Sequence, residues 1–97
     1  MRALFWTKRA RGDLASIRSF VAQDSSYFAD IVVGRLFIAT DRLVEFPESG
    51  REVPEFPGSG LREVIHPPYR IVYRLVGDDA VHILTVHHGS RRLPSSL

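Results

Sequence analysis

From Gly60 to its last residue the chain carries Arg62, Arg70, Arg74, Arg91 and Arg92, four histidines and no lysine. Only three acids, Glu63, Asp78 and Asp79, balance them there. Arginine forks onto phosphate or carboxylate oxygens, and imidazole exchanges protons near neutral pH. Two chemistries suit such a set. One is RNA cleavage, in which a base takes the 2′-OH proton, an acid protonates the leaving 5′-oxygen and cations hold the phosphate. His87 or His88 would serve as base or acid, with Arg70, Arg62 and Arg91 around the phosphate. The other is protein docking, with arginines as interfacial anchors. Against both stands the commonest fate of such residues, which is to be solvated on a strand.

Other chemistries fit less well. Gly58-Ser59-Gly60 opens like a dinucleotide fingerprint, but Glu63 occupies the third glycine position and no helix is expected after it. His82, His87 and His88 would need side chains from both faces of a sheet to share a metal, because neighbours on a strand point oppositely. No metal site is therefore expected. Ser90 follows two histidines but has no placed acid to complete a triad. The absence of cysteine excludes disulfides and thiolate metal sites.

The arginines and histidines need elements to hold them. Tyr69–Val76 alternates, with Ile71, Tyr73 and Leu75 on one face and Arg70, Val72 and Arg74 on the other, as in a half-buried strand. Strands are also expected over Leu61–His66 and Ala80–His88, with turns at Pro67–Pro68 and Gly77–Asp79. Upstream, Ala3–Thr7 reads as an opening strand. Thr7 can cap a helix over Lys8–Gln23, in which Ala10, Leu14, Ile17 and Val21 recur at helical spacing. A second helix, Asp24–Phe46, carries the stripe Phe28, Val32, Leu36, Ala39, Leu43 and Phe46, and Pro47 is expected to stop it. Residues Pro47–Gly60 read mostly as loop, with a brief pairing at Arg51–Val53. The expectation is an α+β fold of order β-α-α-β-β-β, with a two-helix hairpin packed on one face of a mainly antiparallel sheet.

Ninety-seven residues suit one domain, 1–97, with residues 93–97 as a mobile tail. No apolar run reaches the ~18 residues of a membrane span. The first residues lack a signal-peptide core, so a cytoplasmic protein is expected. A net charge of +2 supports nucleic-acid contact only weakly.

Taken in order, these segments resemble the RelE/ParE superfamily of bacterial type II toxins. The resemblance rests on Pro47…Gly50-Arg51-Glu52-Val53-Pro54, Leu61-Arg62-Glu63, Tyr69-Arg70-Ile71-Val72-Tyr73-Arg74 and Val86-His87-His88-Gly89-Ser90-Arg91-Arg92. With the early Ala10…Asp13-Leu14…Ile17 helix it spans roughly Leu4 to Pro94. It implies a toxin neutralised by a cognate antitoxin, whose C-terminal segment folds as it binds. RelE-type members cleave mRNA on the ribosome with basic strand residues and a C-terminal tyrosine. Arg70 and Arg91 match the basic positions. The expected lysines of the preceding strand are missing, as is any tyrosine after Arg92.

The resemblance therefore points to the ParE branch, whose members poison DNA gyrase without being enzymes and need no cofactor. Target or antitoxin binding is expected at Arg62, Arg70, Arg74 and Arg91. If the chain were instead a ribosome-dependent nuclease, Arg70, Arg91, His87 and His88 would carry the reaction. A non-toxic interaction module of the same fold is the third possibility.

Overall fold

The computed structural model describes residues 2–95 and 97; Met1 and Ser96 of the expected 1–97 span lie outside the described residues. The elements are β1 (Ala3–Trp6), α1 (Lys8–Ala22), α2 (Ser26–Asp41), β2 (Arg51–Glu52), β3 (Arg62–His66), β4 (Tyr69–Val76) and β5 (Ala80–His88). They form one five-stranded sheet in the order β1-β5-β4-β3-β2, antiparallel except where β1 runs parallel to β5. The expected architecture holds. The brief pairing near Arg51 is β2, which lies against Glu63 and Arg62 of β3.

Local chemistry sets the helix ends. The Thr7 hydroxyl accepts the Ala10 N–H at 3.2 Å and starts α1, and the Ser25 hydroxyl accepts the Phe28 N–H at 3.1 Å and starts α2. The second helix stops earlier than its apolar stripe suggests. After Asp41 the chain tightens into i→i−3 turns, with Leu43 N–H on Thr40 O and Val44 N–H on Asp41 O. Leu43 stays in the core on this turn, whereas Phe28 and Phe46, the two ends of the expected stripe, are exposed. Pro47 therefore follows a helix that has already ended.

The core lies between the hairpin and the sheet. Ala10, Leu14, Leu36 and Leu43 meet Val64, Ile71, Tyr73, Val81, Ile83 and Val86, with Ile17 and Leu75 packed alongside. Burial of one such large side chain contributes about 1.5–3 kcal/mol. The face of β4 bearing Ile71, Tyr73 and Leu75 is thus the one under the helices, as its alternation requires.

The opposite face departs from expectation. It is not an open display of guanidinium and imidazole groups, because Val53, Leu61, Val72 and Leu93 form a second small core there, with Phe56, Leu84 and Leu97 against it. Leu93, placed by sequence in a mobile tail, is 5% exposed. A bulge explains the reach of β5 to both cores. Val72 pairs with Thr85 but Tyr73 pairs with Ile83, which leaves Leu84 as an extra residue. The alternation shifts by one there. Val81 and Ile83, and then Val86, enter the helix-side core, while Leu84 joins the other.

One close approach ties the long loop to the sheet. The Tyr73 hydroxyl donates to Pro47 O at 2.7 Å and accepts the Gly50 N–H at 3.0 Å. A Cβ at Gly50 would lie 2.6 Å from the Tyr73 ring and 2.7 Å from Glu63 O, so only glycine fits.

Candidate functional site

The four arginines expected to share a surface are divided among three places. Arg62 pairs with Tyr73 across the sheet, so it lies at the helix-side face. Its Nη1 donates to Gly50 O at 2.9 Å and Glu48 O at 3.2 Å, pinning the loop that ends at β2. Arg74 lies on the other face and is exposed; its cross-strand neighbour is His82, whose ring sits 5.1 Å from that of exposed Phe5. Arg91 follows β5 at the far end of the strand and is also exposed.

Arg70 is the most constrained of the set. It shares the non-helix face of the sheet with Glu63 and Val72, since Glu63 pairs with Val72 and Ile65 with Arg70. Its Nε and Nη2 reach Glu63 Oε1 at 2.8 and 2.7 Å. Its Nη1 and Nη2 also grip Glu55 as a two-point fork at 2.6 and 2.7 Å. Arg51 completes the group, its Nε 2.6 Å from Glu63 Oε2. The Glu63 side chain is fully buried, Arg70 is 11% exposed, and Glu55 and Arg51 lie outward at 42% and 59%. Four charges thus cancel in pairs, and the one without access to water has three N–H donors on its oxygens.

The electrostatics follow from this geometry. Hydrogen bonding from Arg70 pulls the Glu55 carboxyl from 4.5 down to about 2, against an opposing push from burial. The same bonds raise Arg70 above its ordinary value, with Glu55 the larger cause and Glu63 the smaller. Tyr73 is also raised, by burial, with the Gly50 hydrogen bond acting in the opposite sense. Arg70 is therefore a fixed cation whose neutralising partners are already in place.

A second constellation sits where β5 outruns β1. Thr7 N–H closes the β1 side of the strand at Ile83 O, and beyond that point α1 covers the edge. Asp13 on α1 accepts the Val86 N–H at 3.0 Å and the Thr85 hydroxyl at 2.5 Å. Thr85 Oγ1 lies in turn 3.2 Å from His87 Nδ1. A threonine that gives its single proton to Asp13 can only accept from the ring, which places the proton of neutral His87 on Nδ1 and leaves Nε2 as a lone pair. His88 is the reverse case. Its Nδ1 accepts the Ser90 N–H at 3.2 Å and lies 2.7 Å from Ser90 Oγ, so neutral His88 carries its proton on Nε2. The Tyr69 ring stands edge-on to His88 at 5.9 Å.

Both histidines, with Asp13, Phe20, Tyr69 and Arg91, line one cleft of about 520 Å³. That is the size of an ordinary small-ligand pocket. Adjacent strand residues diverge as expected, His87 lying opposite Arg70 and His88 opposite Tyr69, and both border the cleft because it wraps the end of the strand. Among the described residues no group of His, Asp or Glu is arranged to hold a metal ion, and no helix is long and apolar enough to cross a membrane.

Besides Arg51, four participants were given no role by the sequence: Glu55, Glu63, Asp13 and Thr85. Glu63 did carry a signal. It shares a strand face with Leu61 and Ile65, and an acid in an apolar row beside arginine-rich strands marks a buried ion pair. The other three depend on contacts 15 to 73 positions apart in the chain, which periodicity does not record.

A solved structure shares this fold, and two relatives share most of the sequence's length. A structure of the chromosomal ParDE toxin–antitoxin system of P. aeruginosa superimposes with a TM-score of 0.75, covering 91% of this chain and 96% of that one at 24% identity. That likeness concerns the fold. Toxin RelE2 of Caulobacter vibrioides is 41% identical over 92 residues, 94% of this chain and 99% of its own length. Putative toxin Y4kP of Sinorhizobium fredii is 38% identical over 96 residues, 95% of this chain and 93% of its own length. The family described as the ParE toxin of the type II toxin–antitoxin system parDE matches residues 4–93. Those residues contain every strand but for the first residue of β1, both helices, the ion-paired group around Glu63 and the cleft at the end of β5; the chain belongs to the ParE toxin family of type II toxin–antitoxin systems.

Proposed function

We propose that this toxin acts in the cytoplasm as a ParE-like inhibitor of DNA gyrase, by binding rather than by catalysis. The observation that carries the reading is the bracing of Arg70 by buried Glu63. A nuclease working on the sheet needs several cations around one phosphate, and here Arg70 has one side committed to Glu63 and only its outer edge, now on Glu55, to offer an outside anion. Arg62 supports a loop and Arg74 stands apart from Arg91, so among the described residues these three arginines do not join Arg70 around a single phosphate on the sheet. Purified toxin is expected to inhibit gyrase supercoiling or to trap gyrase–DNA complexes, and to leave mRNA on translating ribosomes intact. Codon-positioned mRNA fragments, with gyrase unaffected, would overturn the reading.

A cognate antitoxin is the second partner. The helical hairpin exposes Phe20, Tyr27, Phe28, Phe37 and Ile38, from 43% to 77% each. Aromatic side chains left in water on this scale suit the apolar anchors of a wrapping segment. Acidic groups on that segment would meet exposed Arg74 and Arg91, and Arg70 where it can be reached. Growth arrest on expression of the chain alone, relieved by its antitoxin, separates a toxin from a non-toxic interaction module of the same fold.

The cleft favours one alternative. His87 presents a lone pair that would take a proton, His88 would give one in its imidazolium form, and Arg91 lines the same cleft. A base, an acid and a cation are the parts that 2′-OH attack on a phosphodiester requires. Ribosome-dependent mRNA cleavage abolished by His87→Ala or His88→Ala would establish this alternative.

A further inference from the structure

The Arg70–Glu63 pair has the form of a receptor holding a stand-in. Glu63 is buried and takes Nε and Nη2 from the side of the guanidinium, and Arg51 fixes its other oxygen. That bracing sets the plane of Arg70 and aims the Nη1–Nη2 edge outward. The carboxylate now on this edge comes from Glu55, in the loop between β2 and β3, and is 42% exposed. The loop itself is anchored. Val53 is buried and Phe56 packs against the second core, Gly58 N–H donates to Glu52 Oε1 at 2.5 Å, and the Ser59 hydroxyl donates to Phe56 O at 2.6 Å. Glu55 can therefore leave Arg70 by rotation of its own side chain, with the backbone held.

We propose that Glu63-braced Arg70 is a carboxylate-binding site, occupied in the free toxin by Glu55 and, in the complex, by an acidic side chain of a bound peptide segment. Glu55 shows what fits: two oxygens on the Nη1 and Nη2 donors at 2.6 and 2.7 Å. Charge supplies the pull. Without Glu55, the two arginines and Glu63 leave one net positive charge, which a single carboxylate neutralises. Ile65, the cross-strand neighbour of Arg70, is 43% exposed and offers an apolar contact beside the charge. A peptide with an acid next to an apolar residue uses both features, whereas a phosphodiester uses only one. The exchange makes Glu55 an internal competitor, lowering the apparent affinity for any outside carboxylate by the fraction of time Arg70 is occupied.

The partner assigned here deepens the antitoxin reading but is tested without it. Side-chain NMR of Arg70 Nε–H in the full-length toxin is followed as a blocked Glu-Leu-Glu-Leu peptide is added, for the native chain, Glu55→Gln and Glu55→Ala. Glu45→Gln, an exposed change of the same charge, controls for net charge. Both Glu55 variants are expected to bind the peptide about five- to tenfold more tightly, with the Arg70 resonance moving on binding, and Glu45→Gln to match the native chain. Equal affinities across all four proteins, or an Arg70 resonance that does not move, would overturn the site. Inorganic phosphate binding Glu55→Ala more tightly than the peptide, through the same resonance, would overturn the peptide partner in favour of a phosphate ligand. Gyrase assays are independent of every arm, so failure of the target reading leaves this result standing.

Discussion

The ion-paired group around Glu63 and the cleft at the end of β5 draw on the same basic stretch of chain and use it in opposite ways. In the first, two arginines and two carboxylates cancel, and the buried member is saturated with donors. In the second, the hydrogen bonds among the described residues engage Nδ1 of each imidazole and none of them engages Nε2. Arginine beside acid on a half-covered sheet becomes architecture, while histidine where the sheet runs out of neighbours remains chemically free. Richness in Arg and His therefore says little until the carboxylates within reach are counted.

That contrast predicts where substitution should hurt. Glu63→Ala would leave Arg51 and Arg70 facing a buried gap, and breaking a buried pair in this way costs about 3–5 kcal/mol. For a chain of this length that amounts to a fall in Tm of ten degrees or more, on the scale of about 4–8 °C per kcal/mol. His87→Ala, by contrast, should stay within about 0.5 kcal/mol of the native chain. Thermal unfolding of the two variants side by side decides the matter; comparable losses would mean that the cleft is structural too.

Asp13 links the two kinds of region, since it holds a strand N–H and a side-chain relay together. Asp13→Ala should cost about 1–3 kcal/mol through the unpaired Val86 N–H and Thr85 hydroxyl. It should also free His87 to exchange tautomers. Nitrogen-15 shifts of the imidazole in the variant and the native chain would register that change, and an unaltered His87 would break the proposed relay.

A smaller effect is expected from acid. Glu55 titrates at about 2 when folded against an ordinary 4.5, so its pairing with Arg70 stabilises fully above pH 5 and is lost as pH falls through 2. Because Glu55 is well exposed, solvent screening holds the contribution to about 1 kcal/mol or less. Native chain and Glu55→Gln should thus differ in unfolding free energy at pH 6 and converge towards pH 2. A difference that persists at the acid end would point to a packing role for this side chain.

Much of the scaffold was legible in the residues. Thr7 and the 10-14-17-21 spacing specify α1, and the alternation of Tyr69–Val76 specifies which face meets the helices. Both are local signals, written within one or two turns or a single strand. The bulge at Leu84 was not, because it shows only in pairing with β4, and it is the bulge that turns Val86 toward the helix-side core. The end of α2 was misplaced for a similar reason: Leu43 continues the apolar stripe on a turn instead of on the helix. Of the site, Arg70 and the histidines were identified by type, but their partners Glu55, Asp13 and Thr85 lie far off in the chain. Which charges are free is a tertiary property.

The most direct test places the comparison on the target itself. Native toxin, the His87→Ala/His88→Ala double variant and Arg74→Ala are each added to gyrase with supercoiled DNA, and in parallel to translating ribosomes. Binding without catalysis predicts that native and double-variant toxins trap gyrase–DNA complexes equally well and that neither cuts mRNA. Cleavage of mRNA by the native toxin that disappears in the double variant, with gyrase untouched by either, would contradict it.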